Sequence, residues 1–431
     1  MAESAASAGR PGGLALAAYR LGTRALTPCL PAYLRRRLAR GREMPDRWRE
    51  KLGFASLPRP DAPLVWLHAV GLGEVLALRG LIAALSQARG DLEFLVTSSA
   101  RSSAEVIARN LPPRTRHQFL PLDTPRFAAR FLDHWRPDLS IWAEQDFWPG
   151  LVAETHARGI PLALVNARMD AASLAARRRG RALFSPLYAC FAYLGAQDEG
   201  SARNLAGLGA PGVSVHPSLK LFAPPLAADP EAGAALKAAL GGRPLWLCAS
   251  SHPADEKIAI AAQKRLLKAR PDTLLTLVPR DPERRAEIAA KLHAAGLHAA
   301  RRGAGALPGA ECQVYLADTL GELGLLYALA PAALIGGTFS DVEGHNPWEA
   351  VRAGCAVLHG PRCANFAPDF EALDGAGGAL QIEGAEDLAA ALQRDLGPQR
   401  KKASAALAAR KDELAALTGQ LLALLPKEPA V

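Results

Sequence analysis

The chain has 431 residues, 49% of them hydrophobic and 22% charged, which excludes a disordered protein and exceeds one ordinary core, so about two domains are expected. Its six cysteines, Cys29, Cys190, Cys248, Cys312, Cys355 and Cys363, contain no CxxC pair, a pattern of reduced thiols rather than of a disulfide frame or a zinc site. The formal net charge is +9, yet residues 1–60 hold twelve Lys or Arg against four acids, so the excess belongs to one arm and argues for a local anionic partner over a nucleic-acid-binding body.

That arm, residues 1–58, mixes apolar residues with Arg20 and Arg24, has prolines at 28 and 31, and ends in the cluster "RRRLARGRE". It is too interrupted to span a bilayer, which takes about 20 apolar residues, and it has no signal-peptide cleavage site. Two readings stand: a basic, amphipathic helix on an anionic membrane surface, or a solvated basic helix packed on the first domain.

From residue 64 short apolar strands alternate with helical stretches. "LVWLHAV", "LEFLVTSS", "HQFLPLD", "DLSIWAE", "PLALVNAR" and "YLGAQD" read as strands, and "LGEVLALRGLIAALSQAR" carries apolar residues at helical spacing. Such alternation predicts a parallel sheet covered on both faces, a Rossmann-like domain over 59–220. Residues 221–243, rich in Pro, Ala and Gly, read as a linker. The pattern resumes with "LWLCASS", "TLLTLVPR", "CQVYLAD", "AALIGG" and "CAVLHG", a second Rossmann-like domain over 244–398, followed by a C-terminal helix over 399–431. The expected fold is therefore α/β, two Rossmann-like domains facing a cleft, with ligands at the carboxyl ends of the strands.

Each polar cluster follows a predicted strand. Glu74 in "HAVGLGEV" suits a general base at a helix start, or serves only to stabilise the first turn. Glu144 and Asp146 in "WAEQDFWPG" are two acids at a strand end, catalytic or capping. Lys220 lies at the crossing between domains. Arg280, after Pro279, suits a bidentate phosphate contact or an ion pair with Asp281 or Glu283. Gly321 in "ADTLGELGLLY" is placed at a helix start, where bare N–H groups hold phosphate. Gly336 and Gly337 permit close backbone approach, and Asn346 and Glu349 offer acceptors for ribose hydroxyls or a base edge. Neither GxGxxG nor GxxxxGK[ST] occurs, and no metal-ligand spacing appears among the ten histidines.

In order along the chain, "DRWREKLGF", "HAVGLGE", "PLDTPRFAARFL", "AEQDFWPGL", "GIPLALVNARM", "AQDEGSARNLAGLGA", "SLK", "LVPR", "DTLGEL" and "GGTF…GHNPWEA" resemble the Kdo (3-deoxy-D-manno-octulosonic acid) transferases of lipid A biosynthesis, glycosyltransferases of the GT-B fold. The resemblance implies an inverting, metal-independent transfer of Kdo from CMP-Kdo to a phosphorylated lipid A precursor, at the cytoplasmic face of an inner membrane. It implies Glu74 as base on the acceptor hydroxyl, with Glu144 and Lys220 stabilising the transition state. The CMP contacts fall on Pro279 and Arg280, on Leu320, Gly321 and Glu322, and on Asn346, Pro347, Trp348 and Glu349. No cofactor, metal or nucleic acid is implied.

Several positions depart from the family pattern. Ala69 and Gly71 stand for serines, Asp281 and Arg362 for histidines, and Glu343 for a glycine, while "HPADE" keeps His252 and Glu256 without the usual glycine. These departures leave two other readings open: a GT-B enzyme with a different nucleotide sugar or acceptor, and a non-catalytic sugar- or nucleotide-binding protein.

Overall fold

Two parallel seven-stranded sheets carry the fold. The computed structural model describes residues 13–101, 104, 107, 111–144, 147–226 and 229–426; Asp146 lies outside them. The chain divides into two compact units, Met1–Pro224 with Asp412–Val431, and Pro225–Lys411.

In the first unit the strands are β1 (Leu64–His68), β2 (Glu93–Ser98), β3 (Thr115–Phe119), β4 (Leu139–Ala143), β5 (Leu162–Ala167), β6 (Tyr193–Ala196) and β7 (Val213–Val215), in the order β3-β2-β1-β4-β5-β6-β7. Central strands β1, β4 and β5 are buried along their whole length, which is why they read as unbroken apolar runs. Alternation still sorts their side chains between two faces. Trp66, Phe131, Trp135 and Trp142 pack on one side, with Trp66 4.9 Å from Phe131 and 5.3 Å from Trp142. Val65, Leu67, Leu78 and Leu81 pack on the other, joined by Leu417 and Leu421 from the end of the chain.

The second sheet is built from β8 (Leu245–Ser251), β9 (Leu274–Pro279), β10 (Ala299–Arg301), β11 (Val314–Leu316), β12 (Ala332–Ile335), β13 (Ala356–His359) and β14 (Ala379–Gln381), in the order β10-β11-β9-β8-β12-β13-β14. Strand order reverses between β1 and β4 in one sheet and between β8 and β12 in the other, the points at which open α/β sheets hold ligands.

Two segments differ from the sequence reading. Within residues 221–243 lies a helix, Pro230–Leu240, capped by Asp229, whose carboxylate accepts the Glu231 and Ala232 N–H groups. The last stretch is two helices, Gly397–Ala409 and Lys411–Leu422, not one. At the start, helix Leu14–Leu26 packs on the first unit: Leu16 joins its core, the Tyr19 hydroxyl donates to Asp123 at 2.8 Å, and Arg20 pairs with Glu154 at 2.7 Å. Its other side leaves Leu14 92% and Leu21 70% exposed. Among the described residues no helix is long and apolar enough to cross a membrane.

Candidate active site

In the first unit the polar residues gather just beyond the carboxyl ends of β1, β4 and β5. Glu74 is the third residue of helix Leu72–Ala88, and its Oε2 accepts the Gly71 N–H at 2.6 Å and the Val70 N–H at 3.2 Å. The carboxylate thus folds back on its own turn. A β-carbon at position 71 would meet Glu74 Oε1 at 2.8 Å, so the glycine that departs from the family pattern makes room for this posture. Glu144 follows β4 at φ 61°, left-handed backbone that a non-glycine residue adopts at a cost. Its N–H donates to Val165 O at 2.9 Å, which ties the turn to β5.

Lys220 sits half-buried in the 3-10 turn Leu219–Phe222. Two residues that sequence reasoning missed hold that turn. Asn166, buried at the end of β5 with φ 58°, accepts the Leu219 N–H on Oδ1 at 2.8 Å. Gly80 lets helix Leu72–Ala88 approach so closely that a β-carbon there would lie 2.0 Å from the Phe222 carbonyl oxygen. The helix that begins at Glu74 and the turn that carries Lys220 are therefore packed against one another. Asp123, in "PLDTP", accepts the Gly150 and Leu151 N–H groups at 2.8 and 2.7 Å, so it caps the helix after Glu144.

In the second unit Arg280 lies exposed after β9. Asp281 turns its carboxylate to the Glu283 N–H at 3.0 Å, and Glu283 pairs with Arg285 at 3.1 Å, so among the described residues neither acid takes the Arg280 side chain. Glu256, the acid of "HPADE", is buried and bound by Arg284 at 2.6 and 2.8 Å. Its neighbour Asp255, not singled out from sequence, does more. From full burial it accepts the His252 N–H at 2.8 Å, the Gly337 N–H at 2.7 Å and the Phe339 N–H at 3.3 Å. One carboxylate thereby laces the turn after β8 to the turn after β12, and burial raises its pKa.

That lacing brings His252 and His345 together, Nε2 to Nε2 at 2.9 Å, the two rings edge to edge with their planes 18° apart. Burial lowers the pKa of both; the His252 ring and Arg280 add to the effect at His345, which falls to about 4. Beside them Asn346 accepts the Trp348 N–H at 3.1 Å. Burial raises the Glu349 carboxyl, against the pull of Arg352, an Asn346 hydrogen bond and Arg280. Trp348 itself is 1% exposed and donates its indole N–H to Asp369 at 2.8 Å, so its ring belongs to the core.

Gly321 does not start a helix. It takes φ 84° two residues ahead of helix Leu323–Leu329, and Glu322 intervenes with its carboxylate on Arg302 at 2.6 Å, which lowers its pKa. Leu320 is 81% exposed. Glu343 has φ 61°, the conformation that a glycine would fill, and pairs with Arg362 at 2.6 Å.

A protein-family model described as "3-Deoxy-D-manno-octulosonic-acid transferase (kdotransferase)" matches residues 46–223. The 3-deoxy-D-manno-octulosonic acid transferase of Bordetella pertussis is 36% identical over 404 residues, 89% of this chain and 92% of the relative. That of Rickettsia bellii is 31% identical over 366 residues, 85% of this chain and 87% of the relative. Among solved structures, the UDP-GlcNAc 2-epimerase of Neisseria meningitidis bound to UDP-GlcNAc superposes with a TM-score of 0.52 at 13% identity, over 81% of this chain and 99% of that one. A likeness at that identity speaks to the fold alone, a two-domain α/β fold of the GT-B kind. The chain belongs to the 3-deoxy-D-manno-octulosonic acid (Kdo) transferase family and is a glycosyltransferase.

Proposed function

We propose that the protein transfers Kdo from CMP-Kdo to a hydroxyl of a phosphorylated lipid A precursor, with inversion and without a metal ion. Glu74 leaves its turn and takes the proton of the acceptor hydroxyl. The oxygen attacks the anomeric carbon on the face opposite the phosphate, and the bond to CMP breaks with its electron pair passing to the phosphate. Lys220 and Glu144 act on the charge that develops at the sugar. Arg280 holds the phosphate as a planar, bidentate donor, and Asn346 and Glu349 accept from the nucleoside.

The reading rests above all on one observation: Glu74, Glu144 and Lys220 follow strands of a single sheet at its carboxyl edge, the edge at which open α/β sheets bind ligands. Asp281 and Glu343, which motivate the alternative of a different donor, are each engaged by their own neighbours, which favours the CMP-Kdo reading. Membrane-surface docking through Leu14, Leu21 and the exposed Arg24, Arg35 and Arg36 belongs to the same proposal.

The test is a product mass spectrum from CMP-Kdo and a tetraacylated, bisphosphorylated lipid A precursor, expected to gain Kdo with release of CMP and no loss of rate in EDTA. Glu74→Gln is expected to lower kcat by about 10²-fold or more. An active Glu74→Gln overturns the base, a metal-rescued loss in EDTA overturns the metal-free mechanism, and turnover of only another nucleotide sugar overturns the donor.

A further inference from the structure

The function proposed above gives Arg280 to the phosphate and leaves His252 and His345 without a task. Their geometry suggests one. His252 caps the seventeen-residue helix Pro253–Ala269 at the end of β8, and His345 follows Gly344, at φ 90°, in the loop after β12. They reach toward each other from the two strands that flank the reversal of strand order in the second sheet. An Nε2–Nε2 separation of 2.9 Å admits only one proton between the rings, so one imidazole donates and the other accepts. The donor ring then keeps a lone pair on Nδ1. A proton added there makes that ring an imidazolium and strengthens the N–H···N bond, whereas a second proton on the accepting ring would break it. The pair can take one proton and not two.

Burial and the surrounding charges together decide when it does so. On the helix of His252, Asp255 spends its oxygens on three backbone N–H groups and Glu256 is held by Arg284. Burial is the largest opposition to protonation at both rings; from the segment after β9, Arg280 and Arg284 add to it at His252, against the pull of Asp255 and Glu256, and Arg280 adds to it at His345. The free protein therefore holds the pair neutral at pH 7. An anion bound at Arg280 offsets the arginine share of that opposition and supplies a counter-charge beside the buried rings.

We propose that the His252–His345 pair, with Arg280, is the seat of the anionic phosphoryl group of the donor nucleotide, and that it takes up one proton from solvent as that anion binds. This rests on the nucleotide reading of the second unit. Its consequence is that nucleotide affinity strengthens as pH falls from 8 to 6.5, by at most about tenfold per pH unit for one linked proton.

The experiment is calorimetric titration of the full chain with CMP at pH 7, in two buffers of different ionisation enthalpy, for wild type and for the double variant His252→Gln, His345→Gln. The double variant also subtracts titration of the CMP phosphate itself. Wild type is expected to take up more protons per CMP than the variant, with a difference approaching one, and to bind CMP several-fold more tightly. Equal proton uptake by the two proteins, with CMP still bound, overturns the proposal and leaves the nucleotide reading standing. No CMP binding by wild type overturns both. A pair that merely staples two turns together would lower the melting temperature of the variant without changing its proton count. Should the variant fail to fold, wild type alone decides: CMP binding with no proton uptake overturns the proposal.

Discussion

Glu343 carries two of the oddities of the sequence at once. Its φ of 61° is strained for a residue with a β-carbon, and its acid stands where the family pattern has glycine. The cost of such a backbone is about 1 kcal/mol. What it returns is an ion pair with Arg362, itself a departure from the pattern nineteen residues away; the two side chains are 29% and 46% exposed. Pairs this open to water contribute about 0.5 kcal/mol. The strain outweighs the pair, so Glu343→Gly is expected to stabilise the protein by roughly 0.5 kcal/mol in urea unfolding; a clear loss of stability would show the pair to be the larger effect. Read singly along the sequence, Glu343 and Arg362 look like separate anomalies near an anionic donor. Only the loop after β12 and the segment after β13 bring them into one interaction.

At the scale of elements, the packing of helix Leu72–Ala88 on the turn Leu219–Phe222 depends on Gly80. Alanine is the better helix former by about 1 kcal/mol, but its β-carbon would sit 2.0 Å from a backbone oxygen that cannot rotate away. Overpacking of this kind costs about 1–3 kcal/mol, so the clash wins. Gly80→Ala should destabilise the protein and also cut kcat, because the turn it displaces carries Lys220; full activity in a folded Gly80→Ala would separate the packing from the chemistry. Central strands were legible because buried parallel strands write themselves as apolar runs such as "LVWLH". The edge strands β7, β10 and β14, three residues each, left no pattern to find. Glu144 and Arg280 were legible as candidates because each directly follows such a run, and Glu74 because it opens the helix after one. Asn166, Asp255 and Gly80 were not, since each acts on a partner 53 to 142 residues distant.

For the whole molecule, acid is the expected weakness. Burial holds His68 near pKa 4, with Nδ1 on Thr97 and, among the described residues, no partner at Nε2; His117 is held near 3 and His345 near 4. Between the ordinary histidine value of 6.5 and about 4, the unfolded chain binds a proton at position 68 that the folded one refuses. Stability from this source is therefore complete above pH 6.5 and is lost as pH falls toward 4. For a fully buried ring the loss amounts to at most about 3 kcal/mol. Asp123, Asp255 and Glu349, raised by burial, work in the opposite sense. The clean measurement is thus a difference: urea midpoints at pH 7, 6 and 5 should fall less steeply in His68→Gln than in wild type, and equal slopes would refute the assignment. The end of the chain raises a matter of timing. Leu417 and Leu421 of the last helix fill the core of the first unit, beside Leu78 and Leu81. During synthesis the first unit emerges first, yet it lacks part of its interior until Leu417 and Leu421 leave the ribosome. It must wait, with an apolar groove open, while the whole second unit is made. Nascent chains stalled before residue 412 should therefore bind chaperones and resist native folding of the first unit, even where the second is already protease-resistant.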